Sequence, residues 1–289
     1  MNHPIANTLA LLVASSSLFS PSMASAFEQT MTCNQTGQYA CVSGEEPLPV
    51  QWDTACIIYH INETGTQDTD LAKSFEAIQN GFNIWGEPSC TNIEASFGGF
   101  TNETRIGYKN DPDFQNANIV IFIDEGWQHS SGILALTSVT FKPSDGIIKD
   151  ADIELNSAEF RFSTTNYTTQ VGIDVANTIA HEAGHFLGLD HSDVAESTMF
   201  FSALPGETKK RNLEDDDVNG ICAIYPDNSD ISNACLGAPV GYFDKETAQS
   251  TSSSTSSCRV AATHRATSSG VLPALSLFLF GALFFRRRH

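Results

Sequence analysis

Positive charge is scarce in this chain. Lys and Arg number 15 against 34 Asp and Glu, a formal net charge of -19 over 289 residues. Nucleic-acid binding needs a basic face to meet phosphate, so this balance excludes it. No C-x-x-C pair occurs among the seven cysteines, Cys33, Cys41, Cys56, Cys90, Cys222, Cys235 and Cys258. That absence excludes a cysteine zinc cluster, and scattered cysteines in an exported chain instead pair as disulfides. No complete D-x-[DN]-x-[DN]-G-x5-E loop is present, so the acids form no calcium loop of that kind. No apolar run reaches the ~20 residues of a bilayer-spanning helix.

The chain divides by composition. Residues 1–26 read as a secretory signal: an apolar stretch from Ile5 to Phe19, then Ala24-Ser25-Ala26 before a cut at Phe27. Lys and Arg are missing from its start, an unusual feature for such a signal. Residues 27–48 are polar and carry two cysteines, an exposed N-terminal segment stapled by Cys33–Cys41. Residues 49–243 hold the periodic patterns of a folded domain. Residues 244–270 are a Ser/Thr-rich linker. Residues 271–289 are an apolar helix followed by Arg286-Arg287-Arg288, a membrane tail whose basic stop fits the positive-inside rule.

Within the domain, Cys56 to Ile61 is a β-rich run and the expected first strand. Leu71, Phe75, Ile78, Phe82 and Trp85 step by four and three, which predicts an amphipathic helix from about Thr69 to Trp85 with that stripe in the core. Asn118 to Asp124 is continuously apolar, as in a central strand covered on both faces. Ile133–Phe141 and Ile147–Leu155 are further strands. Proximity along the chain favours Cys56–Cys90 and Cys222–Cys235 as the remaining disulfides, with Cys258 left over. Six cysteines allow fifteen connectivities, and spacing alone leaves the others open.

The most specific stretch is His181-Glu182-Ala183-Gly184-His185-Phe186-Leu187-Gly188-Leu189-Asp190-His191. Residues four apart share one helix face, so His181 and His185 can meet one metal ion. Glu182 projects about 100° further round and stands beside the metal without ligating it. Gly188 permits a left-handed exit that brings His191 back as a third ligand. Three imidazoles leave one tetrahedral position open, which a catalytic zinc needs and a structural zinc does not. Val175, Ile179, Ala183 and Phe186 form a separate apolar stripe on the same helix, expected to start near Ile173-Asp174.

This motif, with Ser192 after it and Ser197-Thr198-Met199-Phe200 further on, resembles the metzincin metalloproteases and, among them, the matrixins. Leu213-Glu214-Asp215-Asp216-Asp217-Val218-Asn219-Gly220-Ile221 resembles the start of the last matrixin helix, and Gly132-Ile133-Leu134-Ala135 the edge strand that holds substrate. The resemblance covers about residues 49 to 226. It implies an α+β fold: a twisted mixed sheet, an active-site helix and a C-terminal helix. It implies one catalytic Zn²⁺ on His181, His185 and His191, Glu182 as general base, and Met199 beneath the metal. Protein or peptide substrates, a monomer and an exported or surface-attached location follow from it. Phe200, Phe201, Ala203, Leu204 and Pro205 then either wall the pocket for the residue after the cut bond or lie buried. Asn212 is the candidate cap of the last helix, its acids serving the helix dipole.

The sequence also departs from the family. Leu136 and Asp152 stand where animal matrixins place two histidines of a structural zinc, and the loop carrying its other ligands is missing, so no structural zinc is expected. Calcium sites of that region are unassigned. The long inhibitory propeptide of animal matrixins has no counterpart, and Cys33 and Cys41 read as a structural pair rather than a zinc-blocking thiol. The C-terminal order of linker, short apolar helix and arginines resembles bacterial sorting tails cut by rhomboid-like proteases; a permanent anchor is the alternative. A binding or adhesion module that retains the zinc site is the competing function, although such a module has no need of Glu182.

Overall fold

The computed structural model describes residues 26–34, 40–111, 116–165, 172–227 and 235, together with two-residue strands at 278–279 and 284–285. A mixed sheet forms its centre. Strands β1 (Cys56–Asn62), β2 (Glu94–Thr101), β3 (Asn118–Phe122) and β5 (Ile148–Leu155) run parallel, and β4 (Ala135–Phe141) is antiparallel to β5. Their order is β4-β5-β3-β1-β2. In β1 the alternation buries Ile57, Tyr59 and Ile61 against the helices. In β3 every residue from Ile119 to Phe122 is buried, as its unbroken apolar run requires of a strand flanked on both sides.

Helix α1 (Leu71–Asn83) begins at Asp70, whose carboxylate accepts from the Lys73 amide. Phe75, Ile78 and Phe82, with Trp85 in the 3-10 turn that follows, form the expected core stripe. Leu71 does not. It is 42% exposed, because it is the first residue of the helix and folds back over the turn at Gly65. Short strands β6 (Phe162–Ser163) and β7 (Ile173–Asp174) pair and lead into helix α2 (Val175–Phe186). Gly81 lets α1 cross α2 at close range, since a Cβ there would lie 2.6 Å from Ile179. The Trp85 indole donates to the Ala180 carbonyl across that crossing. Strand β8 (Ser202–Ala203) and helix α3 (Asp215–Ile224) complete the domain.

Strand β2 has no counterpart among the sequence expectations. Its Gly98-Gly99 breaks any alternation, yet the break is structural: a Cβ on Gly98 would lie 2.4 Å from Ile58 of β1. Helix α3 starts one turn from Asn212, the expected cap. Glu214 occupies that position and forms a reciprocal capping box with Asp217.

The disulfides are Cys33–Cys41, Cys56–Cys235 and Cys90–Cys222. The first is as expected and the other two correct the neighbour-based guess. The end of α3 runs back along the segment at Cys90: Thr91 bridges Pro226, and the Asp227 amide donates to the Cys90 carbonyl. Fold, not sequence spacing, sets these pairs.

The N-terminal segment differs too. Thr30, Thr32 and Cys33 are buried rather than exposed. The Thr30 amide donates to the Gly188 carbonyl, the Asp190 amide to the Glu28 carbonyl, and the Val50 amide to the Thr30 carbonyl. This strap lies directly against the loop that returns His191.

Among the described residues no helix is long and apolar enough to cross a membrane. The expected signal, linker and tail lie outside the described residues, apart from β9 (Phe278–Leu279), antiparallel to β8, and β10 (Phe284–Phe285), parallel to β4 at Ser138 and Val139.

Candidate active site

Helix α2 carries the site. Asp174 caps it by accepting from the Asn177 amide at 2.7 Å, and an Arg211 guanidinium holds the same carboxylate. All twelve residues of α2 are buried, so its polar side chains can exist only where partners or a ligand meet them. The helix stops at Phe186. Gly188 then adopts φ 96°, the left-handed exit expected of it. A side chain could not fit there in any case, because a Cβ would lie 2.4 Å from the Val50 carbonyl oxygen of the strap.

The turn brings His191 to the helix. His181, His185 and His191 each offer a ring nitrogen, and these three atoms lie within 4.8 Å of one another. Two of the rings have a fixed tautomer. His181 Nδ1 is 2.7 Å from the Thr198 carbonyl and His185 Nδ1 is 2.9 Å from the Leu189 carbonyl. A carbonyl only accepts, so each Nδ1 carries the proton and each Nε2 presents its lone pair. Nε2 of His185 and Nε2 of His191 are buried without a hydrogen-bond partner. Burial holds all three imidazoles below their usual pKa and so keeps them in the neutral, ligating form. Buried lone pairs with fixed tautomers, converging on one point, fit a zinc ion with three protein ligands.

Glu182 is fully buried beside them. Its Oε2 accepts from the Thr137 hydroxyl of β4 at 2.6 Å, and its Oε1 has no partner. Burial pushes the carboxyl up to about 8, opposed by the Thr137 hydrogen bond and by the charge of Lys210.

Met199 lies beneath, almost fully buried. Gly184 makes its approach possible, since a Cβ there would lie 2.2 Å from the Met199 sulfur. Asp217 of α3 shapes the methionine turn by accepting from the Ser197 hydroxyl at 2.5 Å, the Thr198 amide at 2.7 Å and the Met199 amide at 3.1 Å. Lys210, also fully buried, donates to the carbonyls of Thr198 at 3.2 Å and Phe200 at 2.5 Å. Thus the carbonyl that orients His181 is itself held by an ammonium group. Burial draws that ammonium down to about 8.

Thr137, Gly184, Lys210 and Asp217 were not singled out from sequence. Asp217 stood in plain view among Asp215, Asp216 and Asp217, where a local helix-dipole role already explained the acids. Lys210 sat in Lys209-Lys210-Arg211, a run that reads as a solvated face.

Beyond the methionine turn, Phe201 and Leu204 are 36% and 37% exposed, while Ser202 and Ala203 are buried. The reading in which both phenylalanines lie buried therefore fails for Phe201. At the positions of the animal structural zinc, Leu136 is buried and Asp152 accepts from the Gly107 and Ile119 amides. Burial raises the Asp152 carboxyl to about 6. In the same region His129 pairs with Glu154 at 3.0 Å.

A mixed sheet with one antiparallel strand, a helix bearing two histidines, a glycine turn to the third and a methionine floor define the metzincin class. The particular family follows from comparison: the Matrixin model matches residues 51–226, and the chain belongs to the matrixin family. Metalloendoproteinase 4-MMP of Arabidopsis thaliana is 26% identical over 173 residues, 58% of this chain and 49% of the relative. Metalloendoproteinase 1 of Glycine max is 31% identical over 141 residues, 46% of this chain and 44% of the relative. Neutrophil collagenase of Homo sapiens is 28% identical over 180 residues, 61% of this chain and 33% of the relative. The chain matches about half or less of the length of these relatives.

Proposed function

We propose that this chain is a zinc-dependent endopeptidase that cuts peptide bonds of extracellular proteins, exported from the cell or held at its surface. The observation that carries this reading is the buried Glu182 carboxylate, with one oxygen anchored and the other open, beside three converging imidazole lone pairs. The three disulfides support export, since such bonds persist in oxidising compartments. The relatives whose names read metalloendoproteinase support the reaction class.

His181, His185 and His191 would hold the zinc, which when bound supplies a Lewis acid that acidifies water and polarises a carbonyl. Glu182 removes a proton from the attacking water at Oε1 and delivers it to the leaving amine. An extended peptide adds to β4 by backbone hydrogen bonds at its Leu134–Ala135 end, while β10 runs beside Ser138 and Val139. Phe201 and Leu204 offer apolar surface to the side chain after the cut bond. The apolar tail anchors the chain or is removed by a sorting protease.

Glu182→Ala tests the role of the base. Digestion of casein and of a peptide library should fall by ~10²–10⁴-fold, while zinc content stays at the wild-type level. Full peptidase activity in that variant would refute the assignment.

A further inference from the structure

We propose that Thr137 is a positioning residue for Glu182: its hydroxyl on β4 anchors one carboxylate oxygen and so dedicates the other to proton transfer. This rests on the endopeptidase reading above. Thr137 is 1% exposed and lies in mid-strand. Its Oγ1 is 2.6 Å from Glu182 Oε2 and 3.1 Å from the Glu182 carbonyl oxygen. A hydroxyl has one proton to give. The carboxyl oxygen is the nearer acceptor, and the carbonyl is already served by the helix amide four residues on. The bond therefore goes to Oε2.

The consequence is geometric. An unanchored glutamate side chain swings about several bonds, and ordering it costs entropy. With Oε2 held, the plane of the carboxylate is set and Oε1, which has no partner, becomes the atom that handles protons. In the forward step a water O–H bond breaks and an O–H bond forms at Oε1. In the return step that proton passes to the leaving amine and Glu182 is again a carboxylate. Thr137 keeps its own proton throughout. The hydroxyl also ties the base to β4, the strand whose edge would carry the peptide, so base and scissile bond share one frame.

The test uses the full-length secreted protein loaded with zinc, and measures kcat, KM, zinc content and melting temperature for Thr137→Val and Thr137→Ser. Val keeps the shape and removes the donor; Ser keeps the donor. The expected result is a fall in kcat of roughly 10–100-fold in Thr137→Val, within the range of general-base effects, with KM and zinc content unchanged and kcat largely restored in Thr137→Ser. Should Thr137→Val not fold, Thr137→Ala is judged by the same criterion. Wild-type kcat in the donor-less variant, or a Ser variant as impaired as Val, would overturn the inference while wild-type cleavage leaves the endopeptidase reading intact. Wild-type protein that holds zinc yet cleaves nothing would overturn that reading, and this inference with it.

Discussion

At the scale of single residues, the site depends on two glycines and three imidazoles held at fixed offsets. Gly188 has two duties at once: a positive φ that turns the chain toward His191, and room for the Val50 carbonyl. Gly188→Ala should therefore lose about 2 kcal/mol, from left-handed strain plus the clash, and should bind zinc more weakly because His191 shifts. Denaturant unfolding with a zinc competition titration checks both; an unchanged zinc affinity would show that the turn does not place His191. The convergence of His181, His185 and His191 was legible in sequence because helical spacing and the glycine turn are local. Thr137, 45 positions before Glu182, was not. Nothing in a strand threonine announces which carboxylate it will meet.

At the scale of elements, α3 supports the floor of the site from a distance. Asp217 accepts from four donors: the Ser197 hydroxyl and the Thr198, Met199 and Glu214 amides. Replacing one oxygen by an amide nitrogen strands two buried donors. Asp217→Asn should cost about 2–4 kcal/mol and weaken zinc roughly 10–100-fold, because the Thr198 carbonyl that orients His181 moves with the turn. A thermal melt and metal competition test this, and a variant that melts and binds zinc as wild type would remove α3 from the site. Most elements were legible for the same reason that they are stable. The apolar periods of α1, β3 and α2 are what the core buries. The failures have physical causes: in β2, Gly98 breaks the alternation because β1 passes too close for a side chain, and Leu71 keeps helical spacing but, as the first residue of its helix, folds over the turn at Gly65.

At the scale of the whole molecule, long-range closure completes the local motif's surroundings. Glu28 and Thr30 of the N-terminal strap bind the return loop through the Asp190 amide and the Gly188 carbonyl, and Cys90–Cys222 ties α3 to the segment before β2. Neither was legible, since a polar segment with two cysteines reads as exposed, and disulfide partners are chosen by the fold rather than by spacing. What joins these scales is the claim that three imidazoles hold one catalytic ion. The most direct test is metal analysis of the purified protein after zinc loading and dialysis, beside His181→Ala, His185→Ala and His191→Ala. One zinc per chain in the wild type, lost in each variant, is the predicted result; a metal-free wild type, or zinc retained in full by His191→Ala, would contradict it.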